Sequence, residues 1–427
     1  MTDSCHCERI VRSNLVRLLR SLRNDYIPRM NERLPEGKIN MAAGGTTGEL
    51  AQLFVRLGFT AFGGPAAHIA MMEDEVVARR GWFTHEEFLD MLGVTNLIPG
   101  PNSTEMALHI GYRRGGLQGL VVAGASFILP AMLVTLAFAA VYTAYGTVPA
   151  LGTIMGGIRA AIIAVILGAV SRLGKPLVKN PFQAALGTVV GVLSVLRVDA
   201  LALLLVAGAA GIAWKERGKI RRLAAAIAPL PAALCTLRGA LPPGASSLSS
   251  PPEGATLTGL GLFFLKIGSI LYGGGYVLVA FLQQGLVEGR GWLTQSKLLD
   301  AIAVGQFTPG PILSTATFIG YTLFGIPGAI VSTGAIFLPS FVFVTAVGPF
   351  VPKLRKSEAM KGFLDGVNAG ALGLMAGVCI TLGIATLTGV AAICIFVVAA
   401  VVVFRWRVNA AWIVAGAAAA GWVAGLF

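Results

Sequence analysis

The chain has 427 residues, of which 55% are hydrophobic and 12% are charged, and its mean hydropathy is +0.77. Soluble domains carry about 25% charged residues, so this composition excludes a soluble globular protein and indicates an integral membrane protein. The net charge of +13 is carried by short loops between apolar runs, where it orients a membrane protein, so it does not indicate nucleic-acid binding.

The first 46 residues form a basic N-terminal tail in which we expect no function. The first 40 residues hold eight Lys or Arg and five acids, and no apolar run with a cleavage site follows, so we do not expect a signal peptide. Cys5-His6-Cys7 offers two thiolates and one imidazole, which leave a tetrahedral metal site incomplete, so we predict no metal. The five cysteines, an odd number, do not make a disulfide framework.

Two stretches about 210 residues apart repeat the same pattern of glycine and proline. Gly81 and Gly291 give the offset, since 291 − 81 = 210. The shared motifs are Gly63-Gly64-Pro65, Arg80-Gly81-Trp82 and Pro99-Gly100-Pro101 in the first copy, and Gly273-Gly274-Gly275, Arg290-Gly291-Trp292 and Pro309-Gly310-Pro311 in the second. Two copies of an apolar unit interrupted by glycine and proline are typical of a secondary transporter.

The repeats divide the chain into the tail 1–46, a first repeat 47–222, a connector 223–256 and a second repeat 257–427. Apolar runs of about 20 residues, long enough to cross a bilayer, recur in both repeats. The connector holds one further candidate span, Leu223–Leu241, before a linker rich in Pro, Ser and Gly. We predict an all-α polytopic membrane protein with broken or re-entrant helices and about 10–13 transmembrane segments.

Loop charges predict that the two repeats are inverted. In the first repeat Thr143–Gly157 has no charge, whereas Arg172–Lys179 carries three basic residues. In the second repeat Lys353–Lys361, equivalent to the uncharged loop, holds four Lys or Arg, and Leu382–Thr388 holds none. Because cytoplasmic loops collect Lys and Arg, equivalent loops should face opposite sides of the membrane.

Each repeat interrupts its helices at two Gly/Pro breaks. A helix that starts at membrane depth presents unpaired N–H groups and the positive end of its dipole, which suit an anion. We predict that the four breaks converge on one oxyanion; the alternative is that they only kink packed helices. The predicted binding residues are Gly63, Gly64, Pro65, Pro99, Gly100, Pro101, Asn102, Ser103 and Thr104 in the first repeat, and Gly273, Gly274, Pro309, Gly310, Pro311 and Ser314 in the second.

Three cations within apolar runs are further candidates for substrate binding. Arg56 and Lys266 are equivalent, since 266 − 56 = 210, and each precedes its glycine pair by about two helical turns. Arg159 lies in the middle of a span, and its equivalent is Asn368. An intramembrane cation is costly and usually marks a substrate path or a partner, although Arg56 and Lys266 could also snorkel to the interface.

Two acidic residues follow candidate helix starts in the first repeat. Thr84 with Glu87 three residues later predicts a capping box. Glu105 has two interpretations: it completes a capping box with Asn102, or it is a proton-coupling carboxylate beside the anion site. We find no P-loop, nucleophile elbow or zinc-protease motif, so we expect a transporter without cofactor or metal rather than an enzyme.

The motifs Phe62-Gly63-Gly64-Pro65, Arg80-Gly81-Trp82 and Pro99-Gly100-Pro101-Asn102, followed by Gly111-Tyr112 and Leu129-Pro130, resemble the chromate ion transporter family in its long-chain, two-domain form. The resemblance implies efflux of chromate across the bacterial inner membrane, chromate resistance, and sulfate as a structural analogue. The second copy departs from the pattern at Gly275 and Ile312, which favours the first copy as the substrate site.

Other functions are open at this point. An importer or exchanger of sulfate or another oxyanion, a passive anion channel, and a membrane-embedded interaction protein without transport would all fit the composition. The expected partners are a chromate-like or sulfate-like anion and membrane lipid, with no nucleic acid, and a homodimer is left open. Outward movement of a dianion gains about 4.6 kcal/mol from a potential of 100 mV, negative inside, which favours export.

Overall fold

The computed structural model describes residues 47–62, 64–145, 148–178, 180–216, 254–272, 275–347, 357–406 and 408–425. The N-terminal tail, the candidate span Leu223–Leu241, Gly63, Gly273 and Gly274 lie outside the described residues, so the predictions made on them stay predictions. The described residues form fourteen α-helices and no strand, which confirms the all-α class.

Each repeat contributes seven helices in the same order. The first repeat has α1 (Thr47–Thr60), α2 (Pro65–Glu73), α3 (His85–Thr95), α4 (Asn102–Tyr145), α5 (Pro149–Val178), α6 (Pro181–Val195) and α7 (Ala200–Lys215). The second has α8 (Leu257–Ile270), α9 (Leu278–Leu282), α10 (Gln295–Phe307), α11 (Thr315–Val347), α12 (Glu358–Thr386), α13 (Val390–Trp406) and α14 (Ala410–Ala424). A π-helical turn extends both α2 and α9, to Arg79 and Glu288.

Local signals in the sequence account for several helix starts. The predicted capping box of α3 is present: the Thr84 hydroxyl accepts from the Glu87 amide at 3.2 Å, and the Glu87 carboxylate accepts from the Thr84 amide at 2.8 Å. Thr294 caps the equivalent helix α10. Pro65 and Pro181 open α2 and α6, where the missing N–H of proline would have had no partner.

Helix α4 folds back on itself as a hairpin. Its reversal lies at Gly115 and Gly116, and φ of Gly116 is +58°, which glycine adopts at little cost. The arms 102–114 and 117–145 pack so closely that a Cβ at Gly111 would lie 2.6 Å from the Cβ of Ala123. Gly111 and Gly119 therefore serve close packing between the two arms.

Two other parts of the chain also form helical hairpins. Helix α11 reverses at Gly325, and the hydroxyls of Thr317 and Thr333 bond at 2.7 Å between its arms. Helix α2 returns along α1, since Arg56 in the middle of α1 pairs with Glu75 just beyond α2. The arm 102–114 extends only about 20 Å, less than the hydrocarbon core of about 30 Å, so the predicted broken helices include re-entrant segments.

The two repeats are inverted, as the loop charges predict. The equivalent helices α5 and α12 pack on each other. The thiol of Cys379, late in α12, contacts the carbonyl of Ile163 at 3.8 Å, whereas Leu372, earlier in α12, lies against Gly174, later in α5. Contacts that run in opposite order along two helices mean that the helices are antiparallel, so equivalent elements point in opposite directions.

The repeats also exchange their C-terminal helices. Helix α5 packs on α13 and α14 of the second repeat, and α12 packs on α6 and α7 of the first. A Cβ at Gly157 would overlap the backbone of Ala417, and one at Gly366 would overlap the backbone of Ala207, so small residues allow both approaches. Each repeat is therefore completed by helices of the other.

Four described helices have the length and the apolar composition to cross a membrane. They cover Asn102–Tyr145, Gly152–Lys175, Ile312–Ala346 and Glu358–Thr386, and further apolar helices of 10–17 residues accompany them. The exposed side chains of these helices are largely apolar, as expected for a surface in contact with lipid. The chain is a multi-pass membrane protein.

Candidate anion site at the helix breaks

The four breaks lie together and hold one another through crossed hydrogen bonds. The amide of Gly100 donates to the carbonyl of Leu271 at 2.8 Å, and the amide of Gly310 donates to the carbonyl of Ala61 at 2.9 Å. Ala61 and Leu271 are equivalent, since 271 − 61 = 210, so each Pro-Gly-Pro turn binds the end of the first helix of the other repeat.

A third contact joins the two breaks of the second repeat, because a Cβ at Gly275 would overlap the side chain of Ile312. We call the described residues at these breaks, 61, 62, 64, 65, 99–101, 271, 272, 275 and 309–311, the four-break cluster. Gly64 has φ of +83° directly before Pro65 at the first turn of α2. The structure thus brings together the breaks that the sequence analysis selected, and the binding of an anion there stays a prediction.

The first turn of α4 carries buried polar groups at this cluster. Ser103 and Thr104 are buried, and the Thr104 hydroxyl has no hydrogen-bond partner. Helix geometry leaves the first three amides of α4 without a partner inside the helix, and the amide of Glu105 is the first that bonds back, to Pro101. Asn102 instead donates to the side chain of Asn96 at 2.9 Å. These amides and hydroxyls are the donors that an oxyanion needs.

The interpretation of Glu105 as part of a capping box is wrong. Neither carboxylate oxygen of Glu105 has a hydrogen-bond partner, and the residue is 0% exposed. Its carboxylate folds back against the Pro-Gly-Pro turn, where a Cβ at Gly100 would overlap it. The hydroxyl of Ser340, on α11, lies 2.6 Å from the same Cβ position and is also without a partner.

The second repeat satisfies its polar groups at the equivalent place. A 3₁₀ turn over Ile312–Ser314 precedes α11, and the amide of Ser314 donates to the Pro311 carbonyl at 3.0 Å. The Ser314 hydroxyl lies 3.4 Å from that of Thr308, and the Thr315 hydroxyl donates to the Ile312 carbonyl at 2.8 Å. This helix start therefore offers fewer free donors than the start of α4.

Arg56 and Lys266 have different surroundings. Arg56, with 52% of its side chain exposed, pairs with the buried Glu75, which also faces Arg79 at 3.1 Å and Arg80 at 3.5 Å. Lys266 is exposed on α8, and Gly285 occupies the position equivalent to Glu75. Arg79 also pairs with Asp74 at 2.8 Å, so the first repeat has three arginines against two acids, which leaves a net charge of +1.

Arg159 is neutralised by an acid from the other repeat. Its Nε and a terminal nitrogen donate to the two oxygens of Asp300 on α10, both at 2.7 Å, and the Tyr142 hydroxyl donates to Asp300 at 2.7 Å. Asp300 is 0% exposed. The sequence analysis selected Arg159 but missed Asp300 and Tyr142 as its partners, although Asp300 repeats Asp90 of the first copy, since 300 − 90 = 210.

The described cavities lie away from the four-break cluster. One of about 220 Å³ is enclosed by α6, α7 and α12 beside the Lys215–Asp365 ion pair, and an apolar groove of about 380 Å³ runs between α1 and the second arm of α4. Within the described part of the cluster, a Cβ at Gly100, Gly275 or Gly310 would lie within 2.8 Å of a neighbouring side chain, so these glycines are in close contact with their surroundings. Among the described residues no group of His, Cys, Asp or Glu could hold a metal ion.

The family model described as chromate transporter matches this chain twice, over residues 48–212 and 258–422, which are the two repeats. The chain is 32% identical to a chromate transport protein of Cupriavidus metallidurans over 93% of this chain and 98% of that protein. It is 31% identical to one of Pseudomonas aeruginosa, over 88% and 92% of the two chains. An uncharacterised transporter of Methanocaldococcus jannaschii is 26% identical over 82% of this chain and 88% of its own.

No solved structure matches the chain. The two matched segments start 258 − 48 = 210 residues apart and end 422 − 212 = 210 apart, the same offset that relates the crossed hydrogen bonds. Both the sequence similarity and the two-repeat architecture lead to one conclusion: the chain belongs to the chromate transporter family.

Proposed function

We propose that the protein exports chromate from the cytoplasm across the bacterial inner membrane and thereby gives chromate resistance. Its membership of the chromate transporter family supports chromate as the substrate. The main support for an anion site comes from the start of α4, where free amides and the unpartnered hydroxyl of Thr104 lie at the four-break cluster. Donors of this kind recognise tetrahedral oxyanions through the backbone rather than through a fixed cation.

The architecture supports transport by alternating access. The two inverted repeats meet at the Pro-Gly-Pro turns, where two crossed backbone hydrogen bonds and side-chain packing join the described residues. Because the repeats have opposite orientations, a rearrangement that opens the cluster to one side has a counterpart that opens it to the other. The binding residues proposed from the first repeat are Gly64, Pro65, Pro99, Gly100, Pro101, Asn102, Ser103 and Thr104.

The direction follows from charge. Chromate is a dianion, so a potential of 100 mV, negative inside, contributes about 4.6 kcal/mol to its outward movement and opposes its import by the same amount. The arginine cluster of Arg56, Arg79 and Arg80 adds a field that attracts anions toward the first repeat.

Inside-out membrane vesicles that contain the protein test this proposal. We expect them to accumulate labelled chromate when the lumen is made positive, with a rate that saturates and with competition by sulfate. Uptake that rises linearly with chromate concentration would indicate a channel instead. Preferential transport of sulfate would indicate a sulfate transporter on the same scaffold, and absence of uptake in sealed vesicles would contradict transport.

A further inference from the structure

The described residues contain three buried carboxylates, and two of them are neutralised. Glu75 faces Arg56, Arg79 and Arg80, and Asp300 is bound by Arg159 and Tyr142. Glu105 is 0% exposed, and neither of its oxygens has a hydrogen-bond partner. Since an ionised carboxylate without a partner is very costly away from water, Glu105 must carry a proton in this closed conformation.

Among the described residues, no cation forms an ion pair or hydrogen bond with Glu105. Helix α11 has no charged residue, Arg56 of α1 is paired with Glu75, and Lys297 of α10 lies in its first turn, at the end away from Pro309. The phenol of Tyr272, from the second repeat, lies close enough to Glu105 to interact with it electrostatically. On its own helix, His109 lies one turn later, and its Nε2 atom has no partner.

Comparison with the second repeat shows that the fold does not require this carboxyl group. Gly111 and Gly320 set an offset of 209 after the break, so Ser314 is the equivalent of Glu105 and Ala131 is the equivalent of Ser340. The second Pro-Gly-Pro turn is built with these two residues, and a Cβ at Gly310 would lie 2.8 Å from the Cβ of Ala131. A Pro-Gly-Pro turn with the same crossed hydrogen bond therefore forms without a carboxyl group and without the second hydroxyl.

We propose that Glu105 is the proton site of the transporter and that it must be protonated for the oxyanion to bind. The inference rests on the proposed function, because the anion is placed at the amides of the same first turn of α4. An ionised Glu105 beside these amides would repel a dianion, whereas a protonated carboxyl is neutral and can donate a hydrogen bond to it. Binding of the anion and binding of the proton therefore favour each other.

The proton step involves no change in the anion. Water or hydronium on the loading side gives a proton to one Glu105 oxygen, the anion binds, and both leave together when the cluster opens to the other side. A transported dianion then carries one net negative charge instead of two, so the membrane potential contributes half the free energy to export that it would contribute for the dianion alone. The hydroxyl of Ser340 lies beside the same Gly100 position as the Glu105 carboxyl, and neither group has a hydrogen-bond partner among the described residues.

The purified full chain tests this with sulfate, because sulfate stays a dianion between pH 6 and 9. We expect the wild-type affinity to fall tenfold for each pH unit once the pH exceeds the pKa of the Glu105 carboxyl. Glu105→Gln mimics the protonated group, so it should keep the affinity of the acid limit across the whole range. Glu358→Gln, which changes an exposed acid at the start of α12, should keep the wild-type pH dependence.

A second measurement tests the proton site on the unmodified protein, so its result does not depend on whether a variant folds. Sulfate added in weak buffer, at a pH where the affinity is falling, should cause uptake of about one proton per bound anion, which a pH indicator records. An affinity that does not change with pH, or a Gln variant with the wild-type pH dependence, would overturn the proton site and leave oxyanion binding intact. Absence of binding of both sulfate and chromate at every pH would overturn the proposed function and, with it, this inference.

Discussion

The two repeats share one backbone plan but differ in the groups that they place at the breaks. Both Pro-Gly-Pro turns donate their glycine amide to the first helix of the other repeat, at 2.8 and 2.9 Å. The first repeat leaves Thr104 and Glu105 without hydrogen-bond partners, whereas the second bonds Ser314 and Thr315 within its own turn. The second repeat therefore resembles a structural counterpart, and the first retains the free groups that a ligand could use.

The basic residues at equivalent positions of the two repeats also differ in their partners. Arg56 of the first repeat belongs to the cluster around Glu75, and Arg159 of the first repeat reaches across to Asp300 of the second. The equivalents Lys266 and Asn368 are exposed. Under the proposed function, duplication supplied the architecture, and divergence of a few side chains divided the roles between a binding half and a supporting half.

The largest expected effect concerns the orientation of the repeats. Leu196, at the end of α6, and Trp406, at the end of α13, are equivalent and are exposed to 64% and 63%. In a chain in which the five native cysteines are replaced, a single cysteine at 196 should react with an impermeant maleimide from the periplasmic side only, and one at 406 from the cytoplasmic side only. Labelling of both from the same side would contradict the inverted arrangement in the membrane.

Replacement of Gly100 by valine should abolish transport. A Cβ at Gly100 would overlap the Glu105 carboxylate, and φ of +149° is unfavourable for a branched residue. We expect a loss of at least about 100-fold in chromate uptake, or about 2.7 kcal/mol in the barrier. Gly334→Val is the matched control, because Gly334 is exposed within α11 and a Cβ there has no neighbour within 4 Å.

The control variant should transport within twofold of the unmodified protein. Equal loss in both variants, with both proteins present in the membrane, would mean that valine harms any glycine position in these helices. In that case the Pro-Gly-Pro turns would only kink packed helices, and the four-break cluster would not be the substrate site.

The ion pair between repeats should contribute more to stability than its counterpart. Asp300→Ala leaves Arg159 partly buried and unpaired, which we expect to cost about 3–5 kcal/mol. The equivalent Asp90 is exposed, and an exposed ion pair contributes at most about 1 kcal/mol, so Asp90→Ala should cost no more than that. Unfolding in detergent, followed for both variants, measures the difference.

The double variant Arg159→Met with Asp300→Leu separates the pair from the packing around it. Since removal of both charges leaves no unpaired ion, we expect it to recover most of the stability that Asp300→Ala loses. A double variant as unstable as the single one would show that Tyr142, which also bonds Asp300, carries much of the effect.

Much of this architecture could be predicted from the sequence because its signals are local or periodic. The offset of 210, the Gly/Pro breaks and the alternation of charged loops predict two inverted repeats of broken helices, and the Thr84–Glu87 capping box is formed as predicted. These features depend on backbone geometry and on the membrane, which act on short stretches of chain.

The pairings between repeats could not be predicted in the same way. Arg159 and Asp300 are 300 − 159 = 141 residues apart, and no periodicity relates them. Glu105 has the spacing of a capping box, yet tertiary packing turns its carboxyl against Gly100 and away from the helix end. Local spacing fails here because the position of a buried carboxyl group is decided by which helices enclose it.

The smallest effect that we expect separates the two equivalent cations. Arg56→Ala leaves Glu75 with Arg79 at 3.1 Å, so the fold should persist while the positive field weakens. We expect the KM for chromate to rise about threefold to tenfold with little change in kcat, and the rise should shrink at high salt because screening weakens attraction over distance. Lys266→Ala should change the KM less than twofold, since Lys266 is exposed on the supporting repeat. An equal or larger effect of Lys266→Ala would place the anion path through both repeats and reverse the division of roles argued above.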